Sequence, residues 1–227
     1  MDDDNHSAAW RHIAATGDAT LATACRACLQ DLDVDCLGVT LVVGDDLRIL
    51  GHATDDRAER LEDAQLVAGE GPCTDAYVQR ALVEEADLPS AFERWPAFVQ
   101  TAVEQGMRSA MALPLLVGNL RVGALDLYRA APGPFTARQK DRALAYARVL
   151  ALLALDEHPH LLTDEPGPPR PGPQGYPPSV HVAAGILAEK HRLTPDDALA
   201  RLRAHAFHHN QPLLQTVARV LTHHTLD

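Results

Sequence analysis

Hydrophobic positions along this chain recur with two periods, near two residues in some stretches and near 3.6 in others, and the switches between them predict its elements. Over residues 7–32, Ile13, Leu21, Ala24, Cys25, Cys28 and Leu29 share one side of a helical pattern. Residues 36–43 are rich in β-branched side chains and predict a strand, with Gly44-Asp45-Asp46 as a hairpin turn and 47–52 as the returning strand. A polar helix is expected over 55–67, a tight loop at Gly69-Glu70-Gly71-Pro72, a short helix over 73–80 and a strand within 81–86. A helix over 96–105 ends at Gly106. Two alternating runs, 109–117 and 121–128, then flank the turn Gly118-Asn119. A long helix over 136–155, lined by Leu144, Ala147, Val149, Leu152 and Leu153, closes this part. Such an order predicts an α+β unit, an antiparallel sheet with helices packed on it, rather than a doubly wound fold.

The last stretch reads differently. Residues 156–179 hold eight of the sixteen prolines, and 165–173 can only be extended or turn-like, lacking the run of N–H donors a helix needs, so a linker is expected at 158–179. Beyond it come three amphipathic patterns. The first places Val182, Ala183, Ile186 and Leu187 on one face, with Ser179 as a cap. Thr194-Pro195-Asp196-Asp197 is a helix start, with a hydroxyl at the cap, Pro where a missing N–H costs nothing, and an acid three residues on. That helix should bury Ala198, Leu199, Leu202 and Ala206, with Asn210 suited to a left-handed exit. Pro212 opens the third, with Leu213, Leu214, Val217, Val220 and Leu221 inward. Three short helices of this kind hold a core only as a bundle.

Charge sharpens the division. The chain carries −11 in total, yet from Val180 onward five basic residues face four acids, leaving +1 there and −12 upstream. An acidic body repels polyanions, so any nucleic-acid contact must come from the tail. Nine of the twelve histidines lie from His158 onward, so the tail should gain charge as pH falls toward the histidine range. The acidic opening Met1-Asp2-Asp3-Asp4 has no apolar leader core, and the apolar run 149–155 is too short to span a bilayer. A cytoplasmic protein without a membrane partner is the expectation, its four cysteines as thiols.

Residue blocks in the tail carry a resemblance. Ala183-Ala184-Gly185-Ile186-Leu187, Glu189-Lys190-His191, Leu193-Thr194-Pro195-Asp196-Asp197-Ala198 and Leu202-Arg203-Ala204-His205-Ala206 resemble an ANTAR domain, a three-helix module that binds stem-loop RNA in nascent transcripts and prevents their termination. Ala184 stands where that family usually has a lysine. Upstream, Gly69-Glu70-Gly71-Pro72-Cys73 with Asp75-Ala76, and Met111-Ala112-Leu113-Pro114-Leu115 leading to Gly123-Ala124-Leu125-Asp126-Leu127-Tyr128, are similar to GAF sensor domains. The resemblances imply a GAF domain over 7–157 and an ANTAR domain over 180–227. They imply a regulator in which the first controls RNA binding by the second.

Under that reading Lys190, Arg192, Arg201 and Arg203 contact phosphate, while His205, His209 and Asn210 reach or stack on bases. Cys73, Asp75, Met111 and Leu113 are the candidates for a ligand pocket in the sensor, which would take a small-molecule or protein signal. No cofactor and no metal are expected. His205, His208 and His209 lack a neighbouring carboxylate or thiol, and Cys25 and Cys28 fall on an apolar helix face, where cysteine packs as a small hydrophobe. The apolar excess of the 136–155 helix suggests a homodimer. Two alternatives stay open: a thiol redox enzyme on the same scaffold, built around Cys73, and a tail that contacts protein instead of RNA.

Overall fold

The computed structural model describes residues 2–43, 47–162, 176, 178–209 and 211–226. Two helices come first, α1 (Asp2–Thr16) and α2 (Leu21–Leu32), where one continuous pattern was expected. Gly17 breaks the run, and Thr20 restarts it by accepting from the Thr23 amide at 3.1 Å. The sheet is built from β1 (Cys36–Val43), β2 (Leu47–Ala53), β3 (Val83–Glu85), β4 (Ser109–Val117) and β5 (Leu120–Arg129). Their spatial order is β2-β1-β5-β4-β3, every neighbouring pair antiparallel. The expected α+β class is therefore the observed one. The expected turn at 44–46 lies outside the described residues.

Pleating splits the sheet into two faces. Leu37, Val39 and Leu41 of β1, Met111, Leu113 and Leu115 of β4, and Leu125 and Leu127 of β5 all enter one core, shared with α1, α2 and α6 (Ala137–Glu157). Thr136 and Gln139 start α6 with a reciprocal capping box. The other face carries α3 (Asp56–Ala68), α4 (Pro72–Gln79) and α5 (Pro96–Glu104), packed around Trp95, Phe98 and Tyr128. Asp55 caps α3 by accepting from the Ala58 amide at 2.9 Å, and Gly69 ends it in the left-handed region.

Three helices complete the chain: α7 (Pro178–His191), α8 (Pro195–His208) and α9 (Leu213–His223). Thr194 caps α8 as its sequence demands, accepting from the Asp197 amide. Ala198, Leu199, Leu202 and Ala206 are buried as expected. The inward face of α7 differs from expectation. Val180, Ala183, Ala184 and Leu187 are buried, while Val182 is 55% exposed, because small alanines let three short helices close tightly. Leu214 and Leu221 of α9 likewise face outward, as do Leu144 and Leu152 of α6. Most of the linker, and Asn210, lie outside the described residues.

The bundle sits against α3. Leu66 and Val67 pack on its core, and the Tyr176 hydroxyl donates to the Val67 carbonyl at 3.4 Å. No helix among the described residues is long and apolar enough to cross a membrane.

Candidate functional site

Alternation along β5 puts Asp126 on the same face as Tyr128, away from Leu125 and Leu127. Its carboxyl is fully buried against Glu62, Gln65 and Cys73, although no donor reaches either oxygen with good hydrogen-bond geometry. Across the ladder Asp126 is paired with Gly38, and a side chain at that glycine would strike Glu62 at 2.5 Å. The missing Cβ is what lets Glu62 reach down from α3 onto the sheet. Its two oxygens accept from the Thr40 hydroxyl at 2.7 Å and the Tyr128 hydroxyl at 2.8 Å. Gln65, one turn further along α3, donates to the Tyr128 oxygen at 2.9 Å and accepts from the Cys73 amide at 2.8 Å. Gly71, at a φ of 133°, keeps clear of that Gln65 carbonyl, which a Cβ would meet at 2.3 Å. The start of α4 is thereby fixed over the sheet, with Cys73 in its first turn.

Burial and like charge raise the proton affinity of two of these groups. Burial, and then the neighbouring Glu62 charge, push Asp126 well above the usual carboxylate range. The same two causes, in the same order, raise Tyr128. Glu62, Cys73 and Asp126 place one donor atom each within 4.8 Å of the others.

Of the expected pocket residues, Cys73 belongs here. Met111 and Leu113 do not, because the β4 pleat turns them to the opposite face, among α1, α2 and α6. Asp75 is turned to the surface, paired with Arg94 at 2.5 Å and accepting from the Trp95 ring N–H at 3.3 Å. Glu62, Gln65, Asp126 and Tyr128 were absent from the sequence expectation. The signal was an acid in mid-strand, flanked by buried leucines at period two. All four cysteines are buried and none is in a disulfide, and burial pushes Cys36 up to about 12.

A cleft of about 1490 Å³ runs over this region, lined by Thr40, Glu62 and Cys73 on the sensor side and by Arg203, Phe207 and Leu214 on the tail side. The Arg203 guanidinium donates to the carbonyls of Val67 and Ala68. These are last-turn carbonyls of α3, left without intrahelical donors and carrying the negative end of its dipole. Beside this contact, Asp63 accepts from the Leu213 amide at 3.2 Å, and burial raises its carboxyl to about 6.

The remaining tail cations are placed otherwise. Lys190, Arg192 and Arg201 are exposed, with the Lys190 ammonium donating to the His224 carbonyl at 2.8 Å. The His205 and His209 rings stack at 4.2 Å between centroids. Ala184, where that family usually has a lysine, is 3% exposed within the bundle core.

Comparison with known proteins matches the GAF domain family model to residues 14–153 and the ANTAR domain model to residues 178–221. None of the curated proteins compared with the chain matches it. Among solved structures, the GAF domain of an Acinetobacter phosphoenolpyruvate-protein phosphotransferase is similar at 13% identity and a TM-score of 0.50, over 70% of this chain and 96% of that one. A type II free methionine-R-sulfoxide reductase from Thermoplasma acidophilum aligns at 18% identity and a TM-score of 0.45, over 59% of this chain and 88% of the other. At these identities the likeness concerns the fold. The chain belongs to the GAF domain family, with an ANTAR domain joined behind the sensor.

Proposed function

We propose that this is a cytoplasmic regulator in which the GAF domain, near 7–157, controls an ANTAR domain, near 180–227, that binds stem-loop RNA and prevents transcription termination. The observation that carries the control is the seat of Arg203. A guanidinium expected on phosphate is instead held by the last carbonyls of α3 in the sensor. Lys190, Arg192 and Arg201 stay exposed and supply the first phosphate contacts, with the stacked His205 and His209 beside them. Release of α8 from α3 then adds Arg203. The signal acts on the sensor face that α3 covers, and the apolar surface of α6 holds a second copy of the chain.

The test is a titration of the full chain with a two-hairpin RNA in low salt. Binding that collapses in the combined Lys190→Ala, Arg192→Ala, Arg201→Ala variant supports the reading. Absence of binding at low salt leaves the tail as a protein-docking element and overturns it.

A further inference from the structure

We propose that Glu62, Cys73 and Asp126 form a binding site for a first-row divalent metal ion, zinc or iron(II). The three come from different elements, α3, the first turn of α4 and the middle of β5, yet their donor atoms lie within 4.8 Å of one another. Donors sharing such an ion at bond lengths of about 2.0–2.3 Å stand about 3.3–3.8 Å apart when tetrahedral, so only a small inward movement is required. All three side chains are buried, and Asp126 is aimed into the cluster, against Glu62, Gln65 and Cys73, with no donor in good hydrogen-bond geometry on either oxygen. Two acids crowded in one buried site lack a positive counter-charge among the described residues, and a divalent cation would supply one to both.

The surroundings have the form of an outer shell around a metal. Thr40 and Tyr128 each donate to one oxygen of Glu62, which fixes its orientation and leaves lone pairs for an ion. Gln65 holds both the Tyr128 hydroxyl and the Cys73 amide, tying two ligand-bearing elements together. Gly38 supplies the room. Two carboxylates with one thiolate suit zinc or iron(II) and disfavour calcium and magnesium, which take oxygen alone. Three protein ligands leave a further coordination position. Glu62 and Cys73 also line the cleft, so water or a small anion has a route to it.

The experiment titrates the chelator-treated full chain with cobalt(II) alone and reads the thiolate-to-cobalt charge-transfer absorption. One equivalent with that band, displaced by zinc, is expected. Cys73→Ser should abolish the band, and Asp126→Asn should weaken binding at least tenfold while its circular dichroism and melting remain those of a folded chain. The paired Cys25→Ala, Cys28→Ala variant should keep the band, and the tail histidines, lacking sulfur, cannot produce it. No band in the folded wild-type chain, a band that survives Cys73→Ser, or undiminished binding in folded Asp126→Asn overturns the proposal.

Discussion

The guanidinium of Arg203, on α8, closes the open end of α3 by donating to the carbonyl of Ala68. Its contact with the sensor is therefore made to backbone, which no side-chain substitution in the sensor can delete. The nearby bond from the Leu213 amide to Asp63 is made to a side chain, so mutation can reach it. Asp63→Ala should loosen the bundle from α3 and raise RNA affinity by up to about fivefold, the equivalent of one hydrogen bond of about 1 kcal/mol. Arg201→Ala should lower affinity in the same anisotropy assay. Unchanged affinity in Asp63→Ala would separate RNA binding from the α3 contact.

With Arg203 so engaged, four tail cations remain for phosphate: Lys190, Arg192, Arg201 and Arg219. At about 0.7 per contact for loop-like RNA, the log–log dependence of affinity on salt should have a slope of roughly −3. A slope twice as steep would mean that arginines of the acidic sensor also touch the RNA.

His52 gives the fold a pH dependence. Burial, then the charge of Arg26, lower its proton affinity below the ordinary histidine value of 6.5. The unfolded chain binds this proton first as pH falls. His52 therefore withdraws no stability above about pH 6.5 and progressively more from there down to its lowered folded value. Melting temperatures at pH 7.5 and 5.5 should differ less in His52→Gln than in the parent. An equal difference in both would place the acid sensitivity elsewhere.

Gly38→Ala tests whether room beside Asp126 matters to the fold. The added methyl lands 2.5 Å from Glu62 and must displace it, which should cost about 1–3 kcal/mol by chemical denaturation. A neutral result would mean that Glu62 can leave the sheet freely.

Leu144 and Leu152 lie about two turns apart on α6, 40% and 46% exposed. If that stripe meets its twin, replacing both by glutamate should turn a dimer into a monomer in sedimentation at micromolar concentration. A parent chain already monomeric there would refute the pairing.

The sequence made the element order legible because its signals are local. Thr194-Pro195 starts α8 by its own chemistry, and the β-branched run at 36–43 has one extended reading. The faces of short helices were harder. On α7, the stripe through Val182 and Ile186 competes with one through Val180, Ala183, Ala184 and Leu187, and only close approach of α8 and α9 selects the smaller side chains. The inner site was hidden for another reason. Glu62 and Asp126 are far apart in sequence, and Gly38, the residue that permits their approach, has no side chain to draw attention. Met111 and Leu113 drew it instead, although the same pleat that buries them turns them away from Asp126.

Helix α3 is a party wall. Glu62 and Gln65 face the sheet, while Asp63 and the carbonyls of Val67 and Ala68 face the bundle. If occupancy beneath the wall changes how firmly the bundle is held above it, thermodynamic linkage runs both ways. RNA that draws α8 off must alter affinity for the sensor's ligand by the same factor by which that ligand alters affinity for RNA. A transcript would then be able to evict, or to trap, the signal that governs it.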